Sequence, residues 1–223
     1  MIINMKISIL MLTHNAPKYV KKSIMTLRKT VGINYELVVV DNASDKKTKK
    51  LLSNLEQKGL IDKLIFNDNN ELFAKGNNIA SRYASSESSY YLLLNSDVKI
   101  KRKDWLQKLL ALHPGEGISS FGSVLSDPIR ADGYCLLINK WLYDRYLLDE
   151  SFEWWWSVTK LEAEVLKEGK KIRAVSNHEK YIHHYGGKSG KGFKDAKGME
   201  IDINEVNSWF TVGAVEVEVI DYI

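Results

Sequence analysis

A chain of 223 residues with 44% hydrophobic and 27% charged side chains has the composition of a folded globular protein, and excludes a disordered one. Lys and Arg number 32 against 28 Asp and Glu, a formal charge of +4, which suits anionic small molecules and excludes a dedicated nucleic-acid binder. The single cysteine, Cys135, excludes an internal disulfide and a multi-cysteine zinc site, and reads as a small buried residue.

The first hundred residues alternate between two periods. Residues 6–12, 36–40, 63–66 and 90–94 are short apolar runs bounded by polar turns, the pattern of strands buried on both faces. Between them, residues 17–29 place Val20, Ile24 and Leu27 on one helical face. Residues 46–59 do the same with Leu51, Leu52 and Leu55 and stop at Gly59, and residues 77–84 predict a third, weaker helix. Strand–helix–strand repetition at this spacing predicts right-handed βαβ units and an α/β fold with a mostly parallel sheet. Further on, residues 105–112 and 161–169 read as helices, and 131–139 and 180–185 as strands, the last followed by glycine-rich 186–192. Residues 215–219 alternate as a half-exposed strand. The apolar runs are far shorter than the roughly 20 residues of a membrane-spanning helix, and no signal-peptide layout opens the chain, so a cytoplasmic location is expected.

In a parallel α/β sheet ligands gather beyond the carboxyl ends of the strands. Those positions carry Thr13-His14-Asn15, Asp41 to Asp45, Asn67 to Asn70, and Asn95-Ser96-Asp97. A turn or helix-cap role accounts for any one of these loops; four on one edge point to a binding edge. Asp97 follows its apolar run directly, so a rigid strand end can present it to a hard cation. Mg²⁺ or Mn²⁺ takes only one or two protein carboxylates, leaving the remaining positions to water and substrate phosphates. A helix cap or a surface carboxylate is the competing reading.

Seven segments in order then carry a family resemblance: 9–15 (Ile-Leu-Met-Leu-Thr-His-Asn), 38–44 (Val-Val-Val-Asp-Asn-Ala-Ser), 70–78 (Asn-Glu-Leu-Phe-Ala-Lys-Gly-Asn-Asn), 92–97 (Leu-Leu-Leu-Asn-Ser-Asp), 132–138 (Asp-Gly-Tyr-Cys-Leu-Leu-Ile), 148–152 (Leu-Asp-Glu-Ser-Phe) and 184–189 (His-Tyr-Gly-Gly-Lys-Ser). Together, over roughly residues 5–190, they resemble the inverting family-two glycosyltransferases of the GT-A fold, in particular the rhamnosyltransferase-like, O-antigen-type members. The resemblance implies a Rossmann-like sheet flanked by helices, with a nucleotide-sugar-binding half (1–98) and an acceptor and catalytic half (99–192). The C-terminal extension (193–223) matches none of the segments, and its residues 199–223 are expected to cover the core or make an oligomer contact. It implies a UDP-, GDP- or dTDP-linked sugar donor, a glycan or lipid-linked acceptor, and Mn²⁺ or Mg²⁺.

Residue by residue, the resemblance implies that Thr13, Asn15 and Asp41 hold the base and ribose, and that Lys75 and Asn78 lie near the diphosphate. Asn95-Ser96-Asp97 stands where the family has Asp-x-Asp, so Asp97 becomes the metal ligand and Asn95 a donor contact. His184 is a further metal or phosphate contact, with His183 its rival because strand alternation turns the two to opposite faces. Asp132, beside Gly133, reads either as a contact to the donor or acceptor sugar or as a turn residue. The mechanism implied is direct displacement at the anomeric carbon, assisted by a general base. Residues 155–160, where the family carries a Glu-Asp pair, hold no carboxylate. Asp149, Glu150 and Glu153 are then the candidate catalytic acids, with Glu162 further on, and the other reading is a non-catalytic sugar-nucleotide or glycan-binding module. Leu72 also stands where a glycine is usual. A nucleotidyltransferase is disfavoured, since residues 13–17 form no glycine-rich phosphate loop. Trp154-Trp155-Trp156 reads either as a sugar-stacking surface or as core and interface. Residues 99–103 read as a solvated basic face, with peripheral attraction to anionic lipid the alternative.

Overall fold

The computed structural model describes residues 5–188, 196–210 and 217–221. The chain begins with β1 (Lys6–Thr13), α1 (Pro17–Leu27), β2 (Asn34–Asn42), α2 (Lys46–Gln57), β3 (Lys63–Asn67), α3 (Leu72–Tyr83) and β4 (Ser88–Leu94). It continues through β5 (Val98–Ile100), α4 (Trp105–Leu112), β6 (Gly117–Phe121), β7 (Ser123–Val124), β8 (Arg130–Ala131), β9 (Cys135–Asn139) and α5 (Lys140–Tyr146). The last elements are α6 (Trp156–Lys167), β10 (Lys171–Val175), β11 (Ile182–His184), α7 (Ile203–Ser208) and β12 (Val217–Ile220).

Among the described residues, eight strands form one sheet in the order β12-β10-β6-β9-β4-β1-β2-β3. Every neighbour pair is parallel except those of β9, which runs antiparallel to both β4 and β6. Two small antiparallel pairs, β5–β11 and β7–β8, lie outside it. The pleat sends Ile7, Ile9, Met11, Leu37 and Val39 into a core with α1, α2 and α4, while Leu10, Val38, Val40 and Leu93 pack with α3, α5 and α6. Burial on both faces explains why the parallel strands read as unbroken apolar runs. Asp45 caps α2 by accepting from Thr48 N at 2.7 Å.

The βαβ half predicted from sequence is observed, with α3 starting at Leu72 rather than residue 77. The second half departs more. Residues 99–103 were expected to be a solvated basic run, and their first part forms β5. Strand β6 has a polar-looking centre, Ser119 and Ser120, yet both are fully buried because their hydroxyls donate to Leu109 O (3.1 Å) and Asp132 O (2.6 Å). Helix α6 begins at Trp156, five residues before the apolar spacing announces it. The C-terminal stretch is part of the core packing: β12 adds a parallel strand beside β10, Val206 is fully buried, and Phe152 packs edge-on against Trp209 at 5.1 Å. Residues 189–192 and 215–216 of the expected glycine-rich loop and last strand lie outside the described residues.

At the amino-terminal edge of the sheet a buried acid joins neighbouring strands. Glu36 Oε1 accepts from Ser8 Oγ and from Ser85 N, both at 2.5 Å, and Lys6 and Lys63 stand 3.7 and 3.8 Å from Oε2. Ser8 in turn bonds Ser88 across β4 at 2.6 Å. Removing the carboxylate strands these buried donors. Glu36→Ala is therefore expected to cost about 2–3 kcal/mol, read as a lower denaturation midpoint with an unchanged denaturant slope.

Candidate active site

A cavity of about 480 Å³ opens at the carboxyl edge of the parallel strands. One side is built from the loops after β1 (Thr13, His14), β2 (Asn42), β3 (Asn70, Leu72, Phe73) and β4 (Asn95, Ser96, Asp97). The reversed strand supplies the other side: β9 starts where β4 ends, Cys135 opposite Leu94, so the turn Asp132-Gly133-Tyr134 faces the Asn95–Asp97 loop. Asn95 N donates to Tyr134 O at 2.9 Å, tying the two loops together. Trp154, Trp155, Val158 and Thr159, at the head of α6, close the wall.

Asp97 and His184 meet because β11 pairs with β5 in a register that sets His184 opposite Val98. His184 Nε2 lies 3.1 Å from Asp97 Oδ1, and Lys188 N donates to Oδ2 at 3.3 Å. Burial opposes ionisation of Asp97, but the hydrogen bond and charge of His184, with the Lys188 amide, outweigh it and hold the carboxyl below its ordinary value. Asn95 Nδ2 stands 3.3 Å from the same imidazole nitrogen, and Tyr134 stacks on the ring at 4.3 Å. His183 turns the other way, to Glu179 at 3.2 Å and the Tyr185 ring. Among the described residues no three His, Cys, Asp or Glu side chains converge on one point. One carboxylate with one imidazole is nonetheless a donor set that suits Mn²⁺ when phosphate oxygens and water complete the shell.

At the β1–β2 end, Thr13 lines the cavity, and its buried hydroxyl has no partner among the described residues. Asp41, opposite Thr13 in the β1–β2 register, is fully buried behind the lining; Oδ2 accepts from Ser44 N at 3.0 Å while Oδ1 has no partner among the described residues. Asn15 does not line the cavity. It adopts a left-handed conformation (φ 57°) and braces the two loops, accepting from Asp45 N at 2.8 Å while its own N donates to Ser44 Oγ at 2.7 Å. His14 takes the wall position instead, with Nδ1 2.6 Å from Asn42 O.

Besides Asn15 and Asp41, five other expected site residues lie outside the cavity lining. Lys75 is held by Glu71 at 2.5 Å on the outer face of α3. Asn78 is buried as a four-point tether: it accepts from Tyr143 Oη and Leu148 N and donates to Leu148 O and Glu150 Oε1. That contact also occupies Glu150. Asp149 pairs with Lys160 at 2.5 Å and takes two bonds from Ser151. Glu153 accepts Lys197 N on its side chain and, through its carbonyl, Phe73 N and Ala74 N. The segment 149–153 thus spends its acids on docking the wall to α3 and to residue 197. Sequence reasoning missed Arg130, Phe73 and Tyr134 as wall residues. Arg130 follows a stretch with no periodicity, and Tyr134 and Phe73 entered only as members of the segments 132–138 and 70–78, with no role of their own. Leu72, where the resemblance has a glycine, adopts the left-handed backbone that glycine favours, with φ 54°.

The sequence profile described as glycosyl transferase family 2 matches residues 8–134, more than half of the chain. The chain belongs to glycosyl transferase family 2. Among solved structures it is similar to the mannosyltransferase PcManGT of Pyrobaculum calidifontis in complex with GDP-Man and Mn²⁺, at 16% identity and TM-score 0.64 over 74% of this chain and 53% of that one. It is also similar to S. aureus TarS (17%, 0.65, 81% and 36%) and to GalNAc-T7 with UDP, GalNAc and Mn²⁺ (14%, 0.63, 75% and 42%). Likeness at these identities is likeness of fold, and the chain spans only about a third to a half of these proteins. No curated protein matches the chain significantly. The mostly parallel, helix-flanked GT-A architecture expected from the motifs is the one observed. Among the described residues no helix is long and apolar enough to cross a membrane.

Behind the wall this family 2 chain buries an acid that does not line the cavity. Glu162 of α6 is fully buried; Oε2 accepts Ala131 N at 2.9 Å and Oε1 has no partner among the described residues. Burial pushes its carboxyl up from 4.5 to about 8, against the Ala131 amide and the Arg130 charge, which favour ionisation. The folded state therefore keeps a proton that the unfolded chain releases, and stability falls as pH rises from about 4.5 to about 8. The slope is at most about 1.4 kcal/mol per pH unit. Glu162→Gln is expected to flatten that decline, raising the melting temperature at pH 8 above that of the unaltered protein; equal slopes in thermal melts from pH 5 to 8 would refute the assignment.

Proposed function

We propose that this chain is a metal-dependent glycosyltransferase domain that moves a hexose or deoxyhexose from a nucleotide-diphosphate donor to a hydroxyl acceptor, inverting the anomeric centre. The observation that carries this reading is the buried Asp97, its carboxyl held below its ordinary value, beside His184 at the end of β4, on the wall of a cavity large enough for a sugar nucleotide. Relatives of the same fold hold Mn²⁺ with UDP or GDP-Man. Asp97 and His184 are the residues that would hold the cation here. Bound there, a divalent cation would neutralise the diphosphate as it departs.

The remaining steps belong to the chain's own residues. Thr13 and Asp41 offer their unpartnered oxygens to the N–H and hydroxyl groups of the base and ribose, while Asn15 keeps the two loops in register. Asn95 and Tyr134 fix the imidazole of His184. Phe73 and Trp154, ring centroids 6.3 Å apart, with half-exposed Trp155 beside them, form an aromatic wall that covers the apolar side of a sugar ring and keeps water out. The acceptor is a glycan or a lipid-linked sugar at the open side of this wall, and peripheral contact with a membrane and self-association are compatible with it. A donor-binding module without turnover is the second reading, favoured by Val158 and Thr159 at the head of α6, which give the wall no titratable group.

Calorimetric titration of UDP-, GDP- and dTDP-sugars with and without Mn²⁺ tests the assignment. One nucleotide is expected to bind only with the metal, and Asp97→Asn is expected to weaken that binding at least tenfold, with His184→Ala weaker by a smaller factor. A panel without any metal-dependent binding by the folded protein would refute it.

A further inference from the structure

Resting on the glycosyltransferase reading, we infer that Asp132 is the general base that takes the proton of the incoming hydroxyl. The groups able to accept a proton around the cavity are His14, Asp97, Asp132 and His184. His14 is committed at both nitrogens: Nδ1 stands 2.6 Å from a carbonyl oxygen and so carries the hydrogen, and Nε2 faces the Asn15 amide at 3.0 Å. Asp97 and His184 hold each other. Asp132 accepts one hydrogen bond, from Tyr134 N to Oδ1 at 3.2 Å, and among the described residues Oδ2 accepts none.

Its placement is fixed by backbone rather than by side-chain chance. Asp132 N donates to Gly122 O at 3.0 Å and Asp132 O accepts Ser120 Oγ at 2.6 Å. Gly122 sits at φ 103°, and a Cβ there would come within 3.1 Å of the Asp132 side chain. Val158 packs on the other flank, where a Cβ on Gly133 would lie 2.9 Å from its methyl. The wall of α6 that carries no acid therefore abuts the turn that does. The carboxylate that α6 does not offer the cavity is offered by the loop before β9, on the lining that Asp97 shares.

In the step assigned to it, the acceptor oxygen forms its bond to the anomeric carbon as its O–H electrons are freed and its proton passes to Asp132. The bond from the anomeric carbon to the phosphate oxygen breaks, and its electron pair leaves with the nucleoside diphosphate. Water at the same position gives donor hydrolysis by the same transfer, so the test needs no knowledge of the acceptor.

The experiment measures nucleoside diphosphate release from the donor that binds with Mn²⁺, in the unaltered protein and in Asp132→Asn, Asp132→Ala and Asp132→Glu. Asp132→Asn is expected to lose about 10²–10⁴-fold in rate with donor affinity within twofold, and Asp132→Glu to keep a measurable part. Azide, an anionic nucleophile with no proton to lose, is expected to restore donor consumption in Asp132→Ala and yield a glycosyl azide. If the asparagine variant melts early, the contrast between the glutamate and alanine variants decides instead. A rate for Asp132→Asn within threefold of the unaltered protein, or a parallel loss of donor affinity, overturns the assignment. Unaltered protein that binds donor and metal but releases nothing overturns it too, and leaves the donor site standing. Protein that binds no donor defeats the parent reading and the base with it.

Discussion

The 2.9 Å hydrogen bond from Asn95 N to Tyr134 O closes the end of β4 against the start of β9, and it exists only because β9 runs against its neighbours. In a wholly parallel sheet every strand would bring its carboxyl end to the cavity. Reversing one brings an amino end instead, and with it a second loop that approaches the Asn95–Asp97 loop from across the sheet. The two polar loops then face each other over a gap of molecular size. The short β5–β11 pair completes the frame, since its register is what sets an imidazole beside Asp97.

Around this frame the chain separates acids that hold structure from acids left toward the cavity. Buried polar groups are tolerable only when their partners are supplied. Asn78 is satisfied at every position by α5 and the loop after it, and Glu153 lends both carboxylate and carbonyl to neighbouring amides. Glu162 follows another course, remaining protonated where few partners reach it. Thr13 and Asp41, by contrast, keep polar atoms that are unpartnered among the described residues, as do Ser23, Thr48 and His113 elsewhere in the core.

The parallel half was legible because strands buried on both faces must be continuously apolar, and amphipathic helices must repeat at three and four. Asp97 was legible for the related reason that a rigid strand end projects its next residues outward. Strand β6 was not, because its centre is serine and its burial depends on carbonyls contributed by α4 and by Asp132. Helix α5 was hidden by a polar opening, Lys140, and α6 by a tryptophan run that leads into it, of which only Trp156 is helical. At the site, spacing could not separate Asn15 from His14, since which of two adjacent residues faces a cavity depends on a left-handed backbone turn. Nor could it foresee that Glu150 and Glu153 would be consumed by Asn78 and Lys197, 72 and 44 residues away, and Asp149 by Lys160 on the following helix. Local pattern encodes the strand ends; the allocation of side chains between bracing and binding is settled by tertiary contacts.

The stitching of residues 149–156 has a kinetic side. Glu153 receives amides from Phe73 and Ala74, about 80 positions earlier, and from Lys197, 44 later, while Trp156 Nε1 donates to Met199 O at 3.2 Å. The nucleotide end rests on local βαβ contacts, which form early when loop closure is cheap. The aromatic wall waits on closures spanning much of the chain. During synthesis, then, the strand-end loops take shape while the opposite bank is still unmade, and the cavity comes into being as one of the last acts of folding.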